Sequence, residues 1–155
     1  MRVTAQTLIT VLSAALPLTA AWEVTAYAGT STCFAKDTTQ YRILSGEGAS
    51  GCLVFGQDMP GASCKKFTNG GGNSGPCDGE TFDVRSLLAQ PGTYCQMFVD
   101  TKCEINGGMV FSRPDKESGP KCNYPVGGLL RSFSCAPDTS GVPSEIPPNN
   151  PIGGF

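Results

Sequence analysis

Residues 22–27, Trp-Glu-Val-Thr-Ala-Tyr, carry the clearest fold signal in this chain of 155 residues. Most of these residues favour β-strands, and the alternation puts Trp22, Val24 and Ala26 on one face and the polar or aromatic residues on the other. The stretch therefore predicts a strand that buries one face.

Short apolar runs flanked by glycine or turn signals recur along the rest of the chain. They predict further strands at residues 41–44, 52–55, 94–99, 109–111 and 129–133. Only residues 83–90 predict a helix, a short one with Asp83 as its N-cap and Pro91 as its stop. The predicted fold is all-β, a small disulfide-stabilised sandwich of short strands.

Eight cysteines and the absence of histidine limit the kinds of metal site and cross-link that the chain can form. Zinc sites usually place two ligands two to four residues apart, and the closest cysteine pair here has seven residues between its members. An even count in a secreted chain instead predicts four disulfides, although the pairing cannot be read from the sequence. The predicted disulfide residues are Cys33, Cys52, Cys64, Cys77, Cys95, Cys103, Cys122 and Cys135.

Both ends of the chain differ from the middle in amino-acid composition. Residues 1–21 hold Arg2, an apolar run and a final cluster of small residues, and they predict a cleaved signal peptide. Residues 136–155 are rich in Pro and Gly and predict a disordered tail, which leaves a disulfide-rich β domain at 22–135. Loss of Arg2 lowers the basic count from 11 to 10 against 13 acidic side chains, a net charge of −3.

The cysteine spacing indicates an internal duplication. Eighteen residues separate Cys33 from Cys52, and eighteen separate Cys103 from Cys122. An aromatic residue follows the first cysteine of each pair by eight positions, as Tyr41 and Phe111. Repeats at 22–67 and 94–135 would form two Greek-key-like halves, with coincidence as the alternative. The third cysteines of the repeats would be Cys64 and Cys135, and the remaining two, Cys77 and Cys95, would pair with each other.

No catalytic residue, cofactor-binding residue or metal ligand is predicted. Without histidine or a free thiol, the chain lacks the common nucleophile systems. The acidic run at Asp78, Glu80 and Asp83 could bind Ca²⁺, but a solvated turn is the preferred interpretation because the spacing does not match an EF-hand. A pair of carboxylates could still hydrolyse a glycosidic bond, and nothing local selects a pair among the candidates Glu23, Asp58, Asp83 and Asp100.

Aromatic residues of the predicted strands are assigned to core packing rather than to sugar binding. They are Tyr27, Tyr41, Phe55, Phe98, Phe111 and Phe133.

Residues 22–135 resemble the small secreted cysteine-rich proteins of filamentous ascomycete fungi. The similarity lies in residues 22–27, in Tyr-Arg-Ile-Leu-Ser-Gly at 41–46, in Gly-Cys-Leu at 51–53, in residues 64–71 and in the segment from Cys122 to Cys135. Many such proteins are candidate effectors, so the resemblance implies a role outside the cell. The paired halves are also loosely similar to the βγ-crystallin-type fold, although the calcium signature of that fold is missing.

Together these features predict a secreted, non-enzymatic binding protein, namely an apoplastic effector or elicitor-like virulence factor. Its partner would be an extracellular protein or glycan, of a host for example, contacted by surface loops at 46–51, 58–63 and 68–79. We expect a monomer without a cofactor, without nucleic-acid binding and without stable membrane insertion. The alternatives are a killer-toxin-like antimicrobial protein, which the net charge disfavours, and a carbohydrate-binding or carboxylate-dependent glycan-active protein.

Overall fold

The computed structural model describes residues 21–104, 109–114, 117 and 119–139. The predicted signal peptide, except for Ala21, and most of the predicted tail lie outside these residues. The described strands are β1 (Ala21–Ala28), β2 (Tyr41–Glu47), β3 (Leu53–Val54), β4 (Ala62–Thr68), β5 (Asn73–Pro76), β6 (Val84–Ala89), β7 (Thr93–Phe98), β8 (Met109–Ser112), β9 (Lys121–Asn123) and β10 (Ser132–Pro137). One 3₁₀ turn, Asn69–Gly71, joins β4 to β5. The all-β prediction is confirmed.

The strands form two antiparallel sheets whose order shows how the halves of the chain are related. The first sheet has the order β5-β4-β2-β1-β6-β9, and the second has the order β3-β10-β7-β8. Strand β3 of the first half is an edge strand of the second sheet, where it pairs with β10. Strand β9 of the second half pairs with β6 in the first sheet. Each half therefore keeps three of the four strands of a Greek key in its own sheet. The remaining strand, β3 of the first half or β9 of the second, pairs in the opposite sheet.

This exchange changes which segments are equivalent. The orders β2-β1-β6-β9 and β8-β7-β10-β3 correspond strand for strand, so the partner of β10 in the first half is β6. Strand β4 belongs instead to an additional hairpin, β4–β5, that extends the first sheet beyond β2. The proposed equivalence of Cys64, on β4, and Cys135, on β10, is therefore wrong. The equivalence of Cys33 and Cys103 agrees with the backbone, because both residues have a positive φ, 50° and 57°.

Four disulfides use all eight cysteines. Two of them connect the halves reciprocally, since the first cysteine of each repeat pairs with the second cysteine of the other: Cys33–Cys122 and Cys52–Cys103. The other two, Cys64–Cys77 and Cys95–Cys135, each stay within one sheet and the segment beside it.

The predicted Cys77–Cys95 pairing is wrong. Cys77 directly follows β5 at the edge of the first sheet, whereas Cys95 is fully buried on β7 of the second sheet. Cys95 also lies directly opposite Cys135 in the pairing of β7 with β10, which brings their side chains together on the same face.

The predicted helix at residues 83–90 is also wrong, because these residues form β6. This strand pairs with β1 on one side and with β9 on the other, and its Val84, Leu87 and Ala89 are fully buried. Pairing on both edges outweighs the weak helical signal of a segment this short. Asp83 does not cap a helix, and its carboxylate lies 3.5 Å from Nη1 of Arg131.

The core lies between the inner faces of the two sheets. Trp22 of β1 contacts Phe133 of β10 edge to face, with ring centroids 6.0 Å apart, and Phe55 stacks on Phe133 at 4.8 Å. No helix long and apolar enough to cross a membrane occurs in the part of the chain that the structure describes. The packed sheets leave the β3–β4 connection and the segment after β5 at the surface, where they meet beside the inner face of β2.

Candidate functional site: the Arg42 pocket

The connection between β3 and β4 and the segment after β5 form the two sides of a pocket of about 310 Å³. Two of the loops predicted to carry recognition, 58–63 and 68–79, contribute to it. We call it the Arg42 pocket, after the buried cation beside it. Its lining residues are Arg42, Gln57, Asp58, Met59, Ala62, Cys64, Cys77, Asp78 and Gly79.

Arg42 lies on the inward-facing side of β2, next to the core residue Leu44, and its side chain is only 2% exposed. Its cross-strand neighbour on β1 is Ala26, a small residue that leaves room for the long side chain. The guanidinium lies over the ring of Phe82, 4.3 Å from the ring centroid. Burial lowers the pKa of Arg42, while the negative charges of Asp78 and Glu80 oppose that effect. A guanidinium stays protonated in proteins even so, which puts a nearly buried positive charge beside the pocket.

The hydrogen bonds of Arg42 leave part of its donor capacity unused. Nη2 donates to the carbonyl oxygen of Glu80 at 3.3 Å and lies 3.5 Å from Oδ1 of Asp78. Nε is buried and has no hydrogen-bond partner among the described residues. The pocket therefore has a guanidinium in its wall whose buried Nε–H has no acceptor among the described residues.

A second cation, Lys66 of β4, lies directly opposite Arg42 in the pairing of β2 with β4. Like charges in opposite positions repel each other, and Asp78 offsets this repulsion because its carboxylate contacts both cations. Nζ of Lys66 donates to Asp78 and to Glu80. The hydrogen bond from Lys66 is the main reason that the pKa of Asp78 is lowered, and the same bond raises the pKa of Lys66.

The acidic run thus forms ion pairs. Asp78 and Glu80 contact cations on the pocket side, whereas Asp83 contacts Arg131 elsewhere. The described residues contain no group of three or more His, Cys, Asp or Glu side chains arranged to hold a metal ion.

The carboxylates considered for glycoside hydrolysis have different surroundings in the fold. Asp58 lines the Arg42 pocket together with Asp78, a residue that was not among those candidates. Asp100 instead accepts hydrogen bonds from the backbone N–H groups of Lys102 and Glu104 within its own turn. Hydrolysis needs a carboxylic acid whose pKa is raised so that it can give up a proton. Asp78 has the opposite property, since its lowered pKa keeps it ionised, and it suits hydrogen-bond acceptance instead.

A shallow groove of about 580 Å³ lies on the other side of the same β3–β4 connection. The hydroxyls of Ser45 and Ser63 are 2.7 Å apart in this region, and Gly61 of the connection contributes to the lining. Gly46 and Glu47 also line the groove; they fall within the loop predicted at 46–51, but the structure places them at the end of β2. One connection therefore presents residues to two adjacent depressions.

A separate exposed patch lies on the outer face of the second sheet. Phe111 is 51% exposed, so its assignment to the core is wrong, and its ring lies 6.4 Å from that of Tyr94. Nε2 of Gln96 donates to the hydroxyl of Tyr94 at 3.0 Å. Arg113 lies over the ring of Tyr94 and forms an ion pair with Asp138 at 3.1 Å. This patch has no depression among the cavities described above.

Residues 22–135 match the model of the family described as "Secreted LysM effector LysM14, C-terminal domain". The chain belongs to this family. No curated protein matches the chain, and no solved structure does. Membership of a secreted effector family confirms the predicted extracellular location and the predicted relationship to secreted effector-like proteins.

Proposed function

We propose that this effector domain is a non-enzymatic recognition module that acts in the apoplast and binds its extracellular partner at the Arg42 pocket. The observation that carries the proposal is the buried guanidinium of Arg42, with an unused N–H, in the wall of a pocket formed by two surface loops. Extracellular binding is the general role that the family description supports.

Burial of Arg42 has a high free-energy cost if the role of this residue is purely structural. Removing a guanidinium from water has a large desolvation cost, and a buried donor without a partner costs about 1–3 kcal/mol more. An apolar side chain of similar volume often stabilises such a position equally well. A ligand that accepts a hydrogen bond from the guanidinium would recover part of this cost on binding. Ligand binding therefore explains the presence of Arg42 better than stability does.

The disulfides suit such a module because they restrain the loops around the pocket. Cys64–Cys77 contributes both of its residues to the pocket lining and closes the β4–β5 hairpin next to Asp78. Cys33–Cys122 and Cys52–Cys103 join the two halves. Fewer locally open states mean fewer opportunities for cleavage by the proteases of the extracellular space.

The test uses the purified secreted protein and two charge-matched variants. Asp58→Asn changes an exposed carboxylate at the pocket, and Asp37→Asn makes the same change at an exposed residue outside it. Binding is measured to isolated plant, fungal and bacterial cell walls and to immobilised apoplastic proteins. We expect Asp58→Asn to weaken binding roughly tenfold, which corresponds to about 1.4 kcal/mol. Asp37→Asn should bind like the wild type.

Equal binding by Asp58→Asn and the wild type would overturn the assignment to this pocket. Release of reducing sugars or of peptide fragments by the wild type would show catalysis and overturn the non-enzymatic role. Growth inhibition of a fungal and bacterial panel by the wild type, without any binding to walls or apoplastic proteins, would favour the antimicrobial alternative instead.

A further inference from the structure

We propose that the exposed patch on the outer face of the second sheet is a binding site for proline-rich peptide, and that its occupant is the segment 148–151 of the same chain. We call it the Tyr94 patch; its residues are Tyr94, Gln96, Phe111 and Arg113. It shares no residue with the lining of the Arg42 pocket, so this inference goes beyond the proposed function and does not depend on it.

The Tyr94 patch is an aromatic surface that is open to solvent. Tyr94 and Gln96 flank a fully buried cysteine of β7, so alternation along the strand turns both side chains to the outer face. Phe111 lies opposite Gln96 in the pairing of β7 with β8, and its ring lies 6.4 Å from that of Tyr94. On the other side, β10 places the small residues Ser134 and Ala136 opposite Gln96 and Tyr94. Two rings therefore stand beside a strip of small side chains, which is the kind of shallow, aromatic-lined surface that binds proline-rich peptides.

The polar groups of the patch supply the hydrogen-bond donors that such a peptide needs. A polyproline helix has no internal hydrogen bonds and each proline lacks an N–H, so its carbonyl oxygens need outside donors. Nε2 of Gln96 donates to the hydroxyl of Tyr94 at 3.0 Å, which leaves the hydroxyl its own hydrogen to donate. The guanidinium of Arg113, which only donates, lies 5.5 Å from the ring centroid of Tyr94, and its side chain is 49% exposed. Apolar rings and donors together match a ligand made of apolar rings and acceptors.

The course of the chain leads directly to this patch. Strand β10 ends at Pro137, and two contacts hold the next residue, Asp138, beside the patch. The backbone N–H of Asp138 donates to the carbonyl oxygen of Gly92 at 2.7 Å, and its carboxylate lies 3.1 Å from Nε of Arg113. Residues 140–155 lie outside the described residues, so this last segment of the chain begins two positions after a residue that contacts the patch.

The sequence of the last segment fits the Tyr94 patch. Residues 148–151 are Pro-Asn-Asn-Pro, with a further proline before them and an isoleucine after them. A polyproline helix has three residues per turn, so prolines three positions apart lie on the same side. Residues 140–155 contain one acid and no Lys or Arg, so their charge does not repel Arg113. Residues 139–147 can span at most roughly 30 Å, more than the length of β7 at about 20 Å, and this lets the motif return over the sheet.

Attachment to the same chain favours this occupant over a free peptide. A short linker gives the attached segment an effective concentration in the millimolar range. With an intrinsic affinity of about 1 mM, the segment would occupy the patch in about half of the molecules. A separate proline-rich partner would have to displace it.

The first test concerns the patch. It compares the amide NMR signals of Asn149, Asn150 and Ile152 in the purified secreted protein with those of a synthetic peptide of residues 140–155. We expect the two sets of signals to differ. Phe111→Ser should reduce the difference at least fivefold, because it removes a ring that contacts the prolines. Phe34→Ser, the same change at a 64% exposed ring outside the patch, should leave the difference unchanged.

The second test concerns the segment and uses the side-chain amide signal of Gln96. Pro151→Ala should shift this signal, whereas Pro143→Ala, the same change outside the motif, should not. Addition of about 10 mM synthetic peptide to the wild type should displace the attached segment and move its amide signals to their positions in the free peptide. This competition needs no substitution in the patch.

Three results would overturn the proposal. The first is that Asn149, Asn150 and Ile152 have the same signals in the wild-type protein and in the free peptide, or that added peptide displaces nothing. The second is an equal effect of Phe111→Ser and Phe34→Ser, which would remove the site from this patch. The third is a signal difference that grows with protein concentration between about 0.05 and 1 mM, which would assign the patch to the segment of a second copy, because docking within one chain does not depend on concentration.

Discussion

The close contact between Trp22 and Gly46 makes a sharp test of the fold around the candidate site. Gly46 lies opposite Trp22 in the pairing of β1 with β2. A Cβ atom at this position would lie 2.6 Å from Cζ2 of Trp22 and 2.9 Å from the carbonyl oxygen of Gly61. Trp22 is 1% exposed and packs on Phe133, and the atom of Gly61 belongs to the backbone. Neither neighbour can therefore move without a substantial cost in free energy.

Gly46→Ala should therefore destabilise the protein by overpacking, at a cost of about 1–3 kcal/mol. For a domain of this size, that cost lowers the melting temperature by roughly 5 to 15 °C. The matched control is Gly75→Ala on the edge strand β5, where an added Cβ meets no atom within 4 Å. Replacing a strand glycine by alanine there should leave stability unchanged or raise it by about 0.5–1 kcal/mol.

Thermal unfolding of both variants, followed by circular dichroism and checked by urea titration, measures the difference. A Gly46→Ala variant as stable as Gly75→Ala would refute the position of Trp22 beneath Gly46, and with it the packing of β1 against β2 and the β3–β4 connection.

Three further predictions concern the cross-links, the ion pairs and the exposed patch. Replacing Cys52 and Cys103 together by alanine opens a loop of 51 residues and should cost about 4 kcal/mol, measured by urea unfolding at about 25 °C. The ion pair of Asp78 with Lys66 should add pH dependence, because the lowered pKa of Asp78 stabilises the fold above its unfolded pKa of about 3.9 and this gain is lost as the pH falls through the folded pKa. Urea unfolding between about pH 2 and 7 should therefore show a smaller loss of stability on acidification for Asp78→Asn than for the wild type, and parallel curves would contradict the ion pair. Phe111→Ser should change stability by about 0.5 kcal/mol or less because the ring is half exposed, and a loss above about 2 kcal/mol would indicate that this face is buried.

The sequence predicts the strands well where the local pattern and the tertiary environment agree. Residues 22–27 alternate cleanly, and β1 contains all of them. Residues 83–90 have no such alternation of apolar and polar residues. They form the strand β6 because β1 and β9 pair with its two edges. Such pairing joins residues far apart in the chain, so no local window of sequence contains it.

The cysteines also divide into what the local sequence predicts and what it does not. Their number predicts four disulfides, and the equal spacing of two pairs predicts two related halves. The connectivity depends on the exchange of β3 and β9 between the sheets, which places Cys52 beside Cys103 and Cys122 beside Cys33. Chain-distant packing of this kind has no signal in the spacing itself.

The candidate site was only partly predictable. Two of the three surface loops predicted to carry recognition, 58–63 and 68–79, contribute residues to the Arg42 pocket. Arg42 was not identified, because alternation within residues 41–44 allows either face of β2 to be the buried one. The pairing of β2 with β1 decides this, since it puts Arg42 beside Ala26 on the inner face. An arginine two positions from Leu44, and so on the same face of the predicted strand, is the signal that could have pointed to it.

The most direct test of the central claim is the NMR signal of the Arg42 Nε–H group, observed while the secreted protein is saturated with its extracellular ligand. Nε of Arg42 belongs to the guanidinium in the pocket wall and has no partner within the described chain, so a ligand that contacts this guanidinium should shift the signal. The Nε–H signal of Arg113, which lies over the ring of Tyr94 next to the exposed Phe111, should stay in place. A shift at Arg113 with no change at Arg42 would contradict the account and place binding on the outer face of the second sheet.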